Sequence, residues 1–235
     1  MNKIHQGNCT ECRLCPQANQ SILSDGHDHS FKELDSIKKI IRCHKGEVIF
    51  SEGSNPKGLY CIRAGKVKLT QMGTDGKSQI VEMLKNGDIM GHRAIFGNDV
   101  YNKNAIALED STICFFPKDL FYNLVETDGK LILRIAHLLA TELKEAEKRI
   151  TSSAQQPVMV RVSETLLILR KKYGLDTRSR KLDIQITRED LANMAGTTRE
   201  TATRSLYKLQ ELGMIRLSGK SIIITDEKKL SAMTS

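Results

Sequence analysis

At 235 residues the chain is longer than one small module needs and suits two modest domains, each able to bury its own core. Its 40% hydrophobic and 27% charged residues are a globular balance that excludes wholesale disorder, and no run reaches the roughly 18 uncharged apolar residues of a membrane span. Thirty-six Lys and Arg against 28 Asp and Glu leave a net +8, and between Val158 and Ser235 there are 15 basic and nine acidic residues. Most of the excess therefore sits in the last third, which predicts a polyanionic partner there, nucleic acid first.

Residues 1–30 are polar and lack a sustained apolar period. Met1-Asn2-Lys3-Ile4-His5-Gln6 has no apolar stretch behind its charge, so the chain is expected to stay in the cytoplasm. In that reducing compartment six cysteines do not predict a disulfide framework. Cys9, Cys12 and Cys15 make a C-x2-C-x2-C cluster, while Cys43, Cys61 and Cys114 are spread through the strand-rich region. Three thiolates within seven residues suit a soft metal centre, zinc or iron–sulfur, and a segment that cannot bury a core alone needs such a tie or another surface to be ordered. A metal-free tail is the bland alternative.

Phe31, Leu34, Ile37, Ile40 and Ile41 predict a short helix over 31–41. From Cys43 to Phe116 the period shifts towards two. Strands are predicted at 48–50, 59–62, 66–69, 80–84 and 105–108, punctuated by Gly46, Gly53, Gly65, Asp75-Gly76 and Gly87-Asp88, with Asp75-Gly76 a hairpin signal. Many short strands with glycine turns predict a β-roll or barrel over 31–126.

A helical period follows over 127–156. Ile132, Ile135, Leu139, Leu143, Ala146 and Ile150 step by three and four along a narrow seam, with Glu142, Lys144, Glu145, Glu147, Lys148 and Arg149 on the other faces. Such a seam beside a polar exterior predicts a helix–helix homodimer. Ser152 to Pro157 is the expected hinge, since proline interrupts a helix. The remainder, 157–235, begins with a helix bearing Val162, Leu166 and Leu169 and ending near Tyr173-Gly174. Two more helices run from Thr187 to Ala195 and from Thr198 to Leu212, joined by Gly196-Thr197. A hairpin of Met214–Leu217 and Ser221–Ile224 turns at Ser218-Gly219-Lys220. The fold class expected is α+β: an N-terminal β-roll, a long dimerisation helix and a C-terminal winged helix-turn-helix.

Residues 187–224 carry the strongest functional signal. Thr187-Arg188-Glu189-Asp190 is a capping-box-like start, and Leu191, Ala192 and Ala195 give the first helix an apolar face. Gly196 permits a tight turn, Thr198 caps the second helix, and Ala202, Leu206, Leu209 and Leu212 face inward. Thr197, Arg199, Glu200, Thr203, Arg204 and Lys208 occupy the opposite face, and Lys220 sits at the turn of the hairpin, a candidate wing. An exposed helix N-terminus of this kind enters the major groove, where Arg donates to guanine O6 and N7 and Glu accepts from cytosine N4. Neither an acid/base constellation nor a G-x-G-x-x-G loop accompanies the cysteines, which argues against a catalytic metalloprotein.

Thr187-Arg188-Glu189-Asp190-Leu191-Ala192, followed by Gly196-Thr197-Thr198-Arg199-Glu200-Thr201-Ala202-Thr203-Arg204, resembles the winged helix-turn-helix of the CRP/FNR family of bacterial transcription regulators. Gly58 to Lys68 (GLYCIRAGKVK) resembles the sensor roll of the same family, and the likeness covers 31–235. It implies that Arg199, Glu200 and Arg204 read bases, that Thr187, Arg188 and Lys208 meet phosphates, and that a homodimer binds two-fold symmetric double-stranded DNA and acts on RNA polymerase. Where cyclic-nucleotide-binding relatives carry Gly-Glu and Arg-Ser, this chain has Gly91-His92 and Lys103-Asn104, which disfavours a nucleotide. The likeness to the oxygen-sensing branch implies Cys114 as a distant fourth ligand beside Cys9, Cys12 and Cys15, and a [4Fe-4S] cluster. The x2 spacing between the second and third cysteines is shorter than that branch's pattern. Zinc completed by Cys43, His5, His27 or His29 stays open at this point, as does a metal-free regulator answering a small-molecule effector in the roll.

Overall fold

A computed structural model describes residues 12, 15, 23, 28–74, 76 and 78–234. Two compact units part mainly inside one long helix, between Leu143 and Lys144, with Ser78–Ile80 at the start of one strand grouping with the second unit. Among the described residues no helix is long and apolar enough to cross a membrane.

The first unit opens with α1 (Asp28–Ile37) and then eight strands: β1 (Lys39–Cys43), β2 (Val48–Phe50), β3 (Gly58–Ala64), β4 (Val67–Met72), β5 (Ser78–Leu84), β6 (Ile89–Met90), β7 (Asn104–Ala107) and β8 (Ser111–Pro117), with the five-residue α2 (His92–Phe96) between β6 and β7. They form two four-stranded sheets, β1-β8-β3-β6 and β2-β7-β4-β5. The first sheet is apolar on both faces. Ile41, Cys43, Tyr60, Ile62, Met90 and Ile113 point into the roll and meet Phe50, Val67, Leu69, Ala105 and Ala107 of the other sheet. Ile40, Leu59, Ile89, Cys114 and Phe116 point outward and are covered by Leu34 of α1, by Phe121, Leu124 and Val125 of α3 (Lys118–Thr127), and by Leu131 and Ile135 of α4 (Gly129–Gln155).

That double burial explains two departures from the expected elements. Ile40 and Ile41 belong to β1, not to the helix, because as β-branched neighbours they serve opposite faces, paired with Cys114 and Ile113 of β8. The central strand β8 was not among the predicted strands, since burial on both faces erases its alternation. Helix α3 begins directly after Pro117 and was not expected either. Of the predicted hairpin turn, Asp75 lies outside the described residues.

The long helix α4 corrects the expected seam. Ile135 is 3% exposed, packed with Leu131 in its own unit's outer core, and so has no surface left for a partner. Ile132, Leu143 and Ile150 are 45%, 61% and 70% exposed. Exposed Ala136 takes Ile135's place, so that Ile132, Ala136, Leu139, Leu143, Ala146 and Ile150 step 4, 3, 4, 3, 4, a heptad stripe that is exposed except at Leu139, which is half-buried against the outer core. The expected hinge is also narrower. Ser152 to Gln155 remain helical, and the break is confined to Gln156 and Pro157, because proline strips one donor and bars the helical conformation only at its predecessor.

The second unit contains α5 (Val158–Tyr173), α6 (Arg188–Ala195), α7 (Arg199–Glu211), a two-stranded antiparallel hairpin of β9 (Ile215–Ser218) and β10 (Ser221–Ile224), and α8 (Glu227–Ala232). Val162, Leu166, Leu191, Ala202, Leu206, Leu209 and Leu230 are at most 1% exposed and make its core. An isolated bridge from Lys181 to Ile223 sets a further strand segment beside the hairpin, and Arg170 of α5 pairs with Glu227 at 2.6 Å to hold α8.

Candidate nucleic-acid interface and sensor site

Both helices of the reading motif start as their sequences dictate. Thr187 Oγ1 accepts from the Asp190 amide at 3.0 Å while the Asp190 carboxylate accepts from the Thr187 amide at 3.4 Å, a reciprocal capping box. The Thr187 hydroxyl also donates to Asp190 Oδ2 at 2.7 Å, so its oxygen and proton are both engaged within the motif. Gly196 adopts φ 62°, ψ 48°, the left-handed conformation that ends α6 and that a side chain would strain. Thr198 Oγ1 then accepts from the Thr201 amide at 3.3 Å and starts α7.

With Ala202, Leu206 and Leu209 fully buried, α7 has one possible outward face. Thr198, Arg199, Glu200, Arg204 and Lys208 are exposed on it, Thr197 and Thr203 are half-buried, and Lys220 is exposed at the hairpin turn. Thr203 donates its hydroxyl to Arg199 O at 2.7 Å. Arg204 reaches Thr201 Oγ1 at 3.4 Å, and the Lys208 ammonium rests on Glu211 at 3.1 Å, an exposed pair that a phosphate can displace. Arg188 is half-buried, and desolvation lowers its guanidinium pKa. Composition and spacing missed Arg161. It donates to Gln156 O at 2.7 Å, Ala195 O at 2.9 Å and Gly196 O at 3.1 Å, and so ties the end of the hinge to the turn that precedes the reading face. Its place four residues after Pro157, on the inner side of α5, was the available signal.

In the first unit α2 is fastened to the long helix. Glu142 Oε2 accepts from Arg93 Nε at 2.7 Å and lies 3.1 Å from His92 Nε2, with His92 and Glu142 side chains 5% and 9% exposed. Glu142 is therefore a buried clasp and not one of the solvated residues of α4 expected from the sequence. Burial by itself raises a carboxyl, but the hydrogen bond and charge of His92 and the charge of Arg93 outweigh it and hold Glu142 down at about 2. Its ordinary value is 4.5, so the clasp contributes fully above that pH and is lost as the pH falls from 4.5 towards 2. Glu142→Gln is expected to cost on the order of 1–3 kcal/mol at pH 7 after allowance for solvent screening. Urea midpoints of the two proteins should converge on acidification below pH 4.5; a constant gap would remove the ionised carboxylate as its cause.

The cleft beside α2 is lined by Phe50, Leu69, Glu82, Arg93, Tyr101 and Lys103 among others and encloses ≈ 20 Å³, room for a water. Phe50 and Tyr101, both in its lining, stack on each other with ring centroids 4.2 Å apart, and Tyr101 is pinned by donating to Gly58 O at 2.9 Å. Asn104 is engaged elsewhere: its Oδ1 accepts from the Glu52 amide at 3.0 Å.

Of the cysteine trio, Cys12 and Cys15 are described and Cys9 lies outside the described residues, as do His5 and His27 and the side chain of His29. The Cys12 amide donates to Asp35 Oδ1 at 2.8 Å, and Lys38 Nζ lies 3.4 Å from Cys12 Sγ while pairing with Asp35. Burial, then the Asp35 carboxylate, push the Cys12 thiol up to about 12. Cys12 packs against the outer core that contains Cys114, which is 7% exposed. Cys43 is in the inner core, on the opposite face of the same sheet, and this removes it as a co-ligand of Cys12. Among the described residues no group of three or more His, Cys, Asp or Glu is placed to hold a metal ion.

Comparison with known proteins agrees with this layout. Residues 40–128 match the "Cyclic nucleotide-binding domain" family and residues 160–233 the "Crp-like helix-turn-helix domain" family. The chain is 31% identical over 229 residues to the anaerobic regulatory protein of Pasteurella multocida, covering 95% of this chain and 83% of that one. It is 29% identical to the fumarate and nitrate reduction regulatory protein of Salmonella typhimurium, over 99% and 94% of the two chains. The structure of FixK2 from Bradyrhizobium japonicum superposes with a TM-score of 0.76 at 22% identity, covering 85% of this chain and 98% of that one. The first two relatives are named as regulatory proteins, and the chain belongs to the CRP/FNR family of DNA-binding transcription regulators and not to an enzyme family.

Proposed function

We propose that this regulator works in the cytoplasm as a homodimer joined along the exposed stripe of α4 and sets the two α7 helices into successive major grooves of a two-fold symmetric site, where it acts on RNA polymerase. The boundaries that go with this are a cysteine-bearing segment 1–30, a roll 31–126, a dimerisation helix and hinge 127–156, and a DNA domain 157–235. Arg199, Glu200 and Arg204 read base edges. Arg188, Thr197, Thr198, Lys208 and Lys220 face the phosphates, and Thr187 serves the interface as the cap that starts α6. The observation that carries the reading is the α7 surface: three long charged side chains stand exposed in its first two turns, above an opposite face that is wholly buried.

The signal we infer is oxygen or cellular redox state, or nitric oxide, sensed through an iron–sulfur cluster held by Cys9, Cys12, Cys15 and Cys114. Cys12 and Cys114 border one apolar core, and all four donors are soft thiols. A cluster supplies oxygen-labile iron–thiolate bonds when bound. The chain's own part is to shield Cys114 beneath α3 and α4 and to hold the Cys12 backbone at Asp35. His92 and Lys103-Asn104, in place of the Glu and Arg-Ser of cyclic-nucleotide-binding relatives, support this reading over a cyclic nucleotide as the signal. Anaerobic purification with iron, sulfide and zinc quantified is the test. The expected result is iron and sulfide in similar amounts, with visible absorption lost in Cys12→Ser and Cys114→Ser alike. Stoichiometric zinc without sulfide would assign a structural metal instead.

A further inference from the structure

The sheet places a second thiol beside Cys114. In the register of β3 with β8, Cys61 is the residue directly opposite Cys114, and Ile40 and Ile89 complete the row across the four strands. Directly opposite residues share a face, and both cysteines border the outer core. The Lys118 amide donates to Lys57 O at 2.9 Å, which makes 57/118 a hydrogen-bonded pair. Alternation along the ladder makes 61/114 one as well, with Cα atoms about 5.5 Å apart, inside the range that a disulfide spans. Neither residue is in a disulfide in this structure. Cys61 is half-buried where Cys114 is buried, so a small oxidant meets Cys61 first. Cys43, the remaining thiol of this sheet, is on the other face.

We propose that Cys61 and Cys114 form a peroxide-oxidisable dithiol, a modification site built into adjacent strands. Cys61 Sγ attacks hydrogen peroxide, the O–O bond breaks, and the departing hydroxide leaves as water with the thiol proton, giving a sulfenic acid. Cys114 Sγ then attacks Cys61 Sγ, the S–O bond breaks, and the hydroxyl departs with the Cys114 proton as a second water. Two thiols and one peroxide become one disulfide and two waters. Directly opposite Cβ atoms in a hydrogen-bonded pair stand farther apart than a relaxed disulfide prefers, so the bond is strained and readily reduced, as a reversible modification requires. On the reading that Cys114 is a metal ligand, the oxidised form withdraws that ligand.

The test uses the full chain, reduced, treated with a chelator and desalted, then exposed to stoichiometric hydrogen peroxide, alkylated and digested for mass spectrometry. The expected product is a peptide containing Cys61 linked to a peptide containing Cys114, with both thiols lost together and both regained after dithiothreitol; in Cys61→Ala, Cys114 remains outside any disulfide. Linkage of Cys114 to Cys12 or Cys15, or Cys61 carried on to sulfinic acid while Cys114 still alkylates, would overturn the proposal. No metal takes part in this measurement, so its outcome stands apart from that of the iron and sulfide analysis.

Discussion

Replacing Leu143 and Ile150 with glutamate leaves the chain folded and monomeric. Both side chains are more than half exposed on α4, so neither charge is forced into the core of its own protomer. In a two-fold dimer the same pair meets its copies, and burying a Leu or Ile contributes about 1.5–3 kcal/mol. Four such side chains per interface make a loss on the order of 6 kcal/mol or more, beyond a 10⁴-fold rise in the dimer dissociation constant, before the repulsion of buried like charges is counted. Sedimentation should show a monomer, and operator binding should fall to the level of random DNA. Ile135→Glu is the contrasting variant. At 3% exposure it places a charge in the outer core of the roll and should unfold that unit, with the loss of its cooperative melting transition. A doubly charged Leu143/Ile150 variant that sediments as a dimer would remove α4 as the interface.

The second large effect lies on the reading face. Arg204→Ala and Glu200→Ala are each expected to cost about 1–3 kcal/mol per half-site, confined to one symmetric base position, because a bidentate Arg or an accepting Glu discriminates at a single base pair. Both side chains are exposed and outside the core, so melting temperature should be unchanged. Lys208→Ala should instead weaken binding to every sequence and reduce the slope of log K against log salt by about one per protomer, since a phosphate contact releases counterions without reading bases. Selections from randomised operators separate the two behaviours. Equal losses on cognate and random DNA for Arg204→Ala would remove α7 as the recognition helix.

Where local chemistry is sufficient, the sequence alone was enough. Thr187 and Thr198 as caps, Gly196 as the left-handed turn, and Ala202, Leu206 and Leu209 as the inner face of α7 were all legible, because a cap, a positive φ and a 3.6-residue period are each decided within a few residues of the chain. The glycine-punctuated strands of the roll and the break at Pro157 were legible for the same reason.

What only the tertiary structure decided concerns faces. A strand covered on both sides loses its period of two, and so β8 and the first strand at Ile40-Ile41 could not be told from other apolar runs. Along α4, a heptad written with Ile135 or with Ala136 fits the apolar pattern almost equally well; which one faces outward depends on the roll's outer core having claimed Ile135. Glu142 looked solvated until α2 placed His92 and Arg93 against it, and Cys61 looked like a stray thiol until the register set it opposite Cys114. Sequence spacing carries contacts three or four residues apart. Pairings across 50 residues, such as Glu142 with His92, arise only when the folded backbone closes the distance and buries both partners where water no longer competes for them.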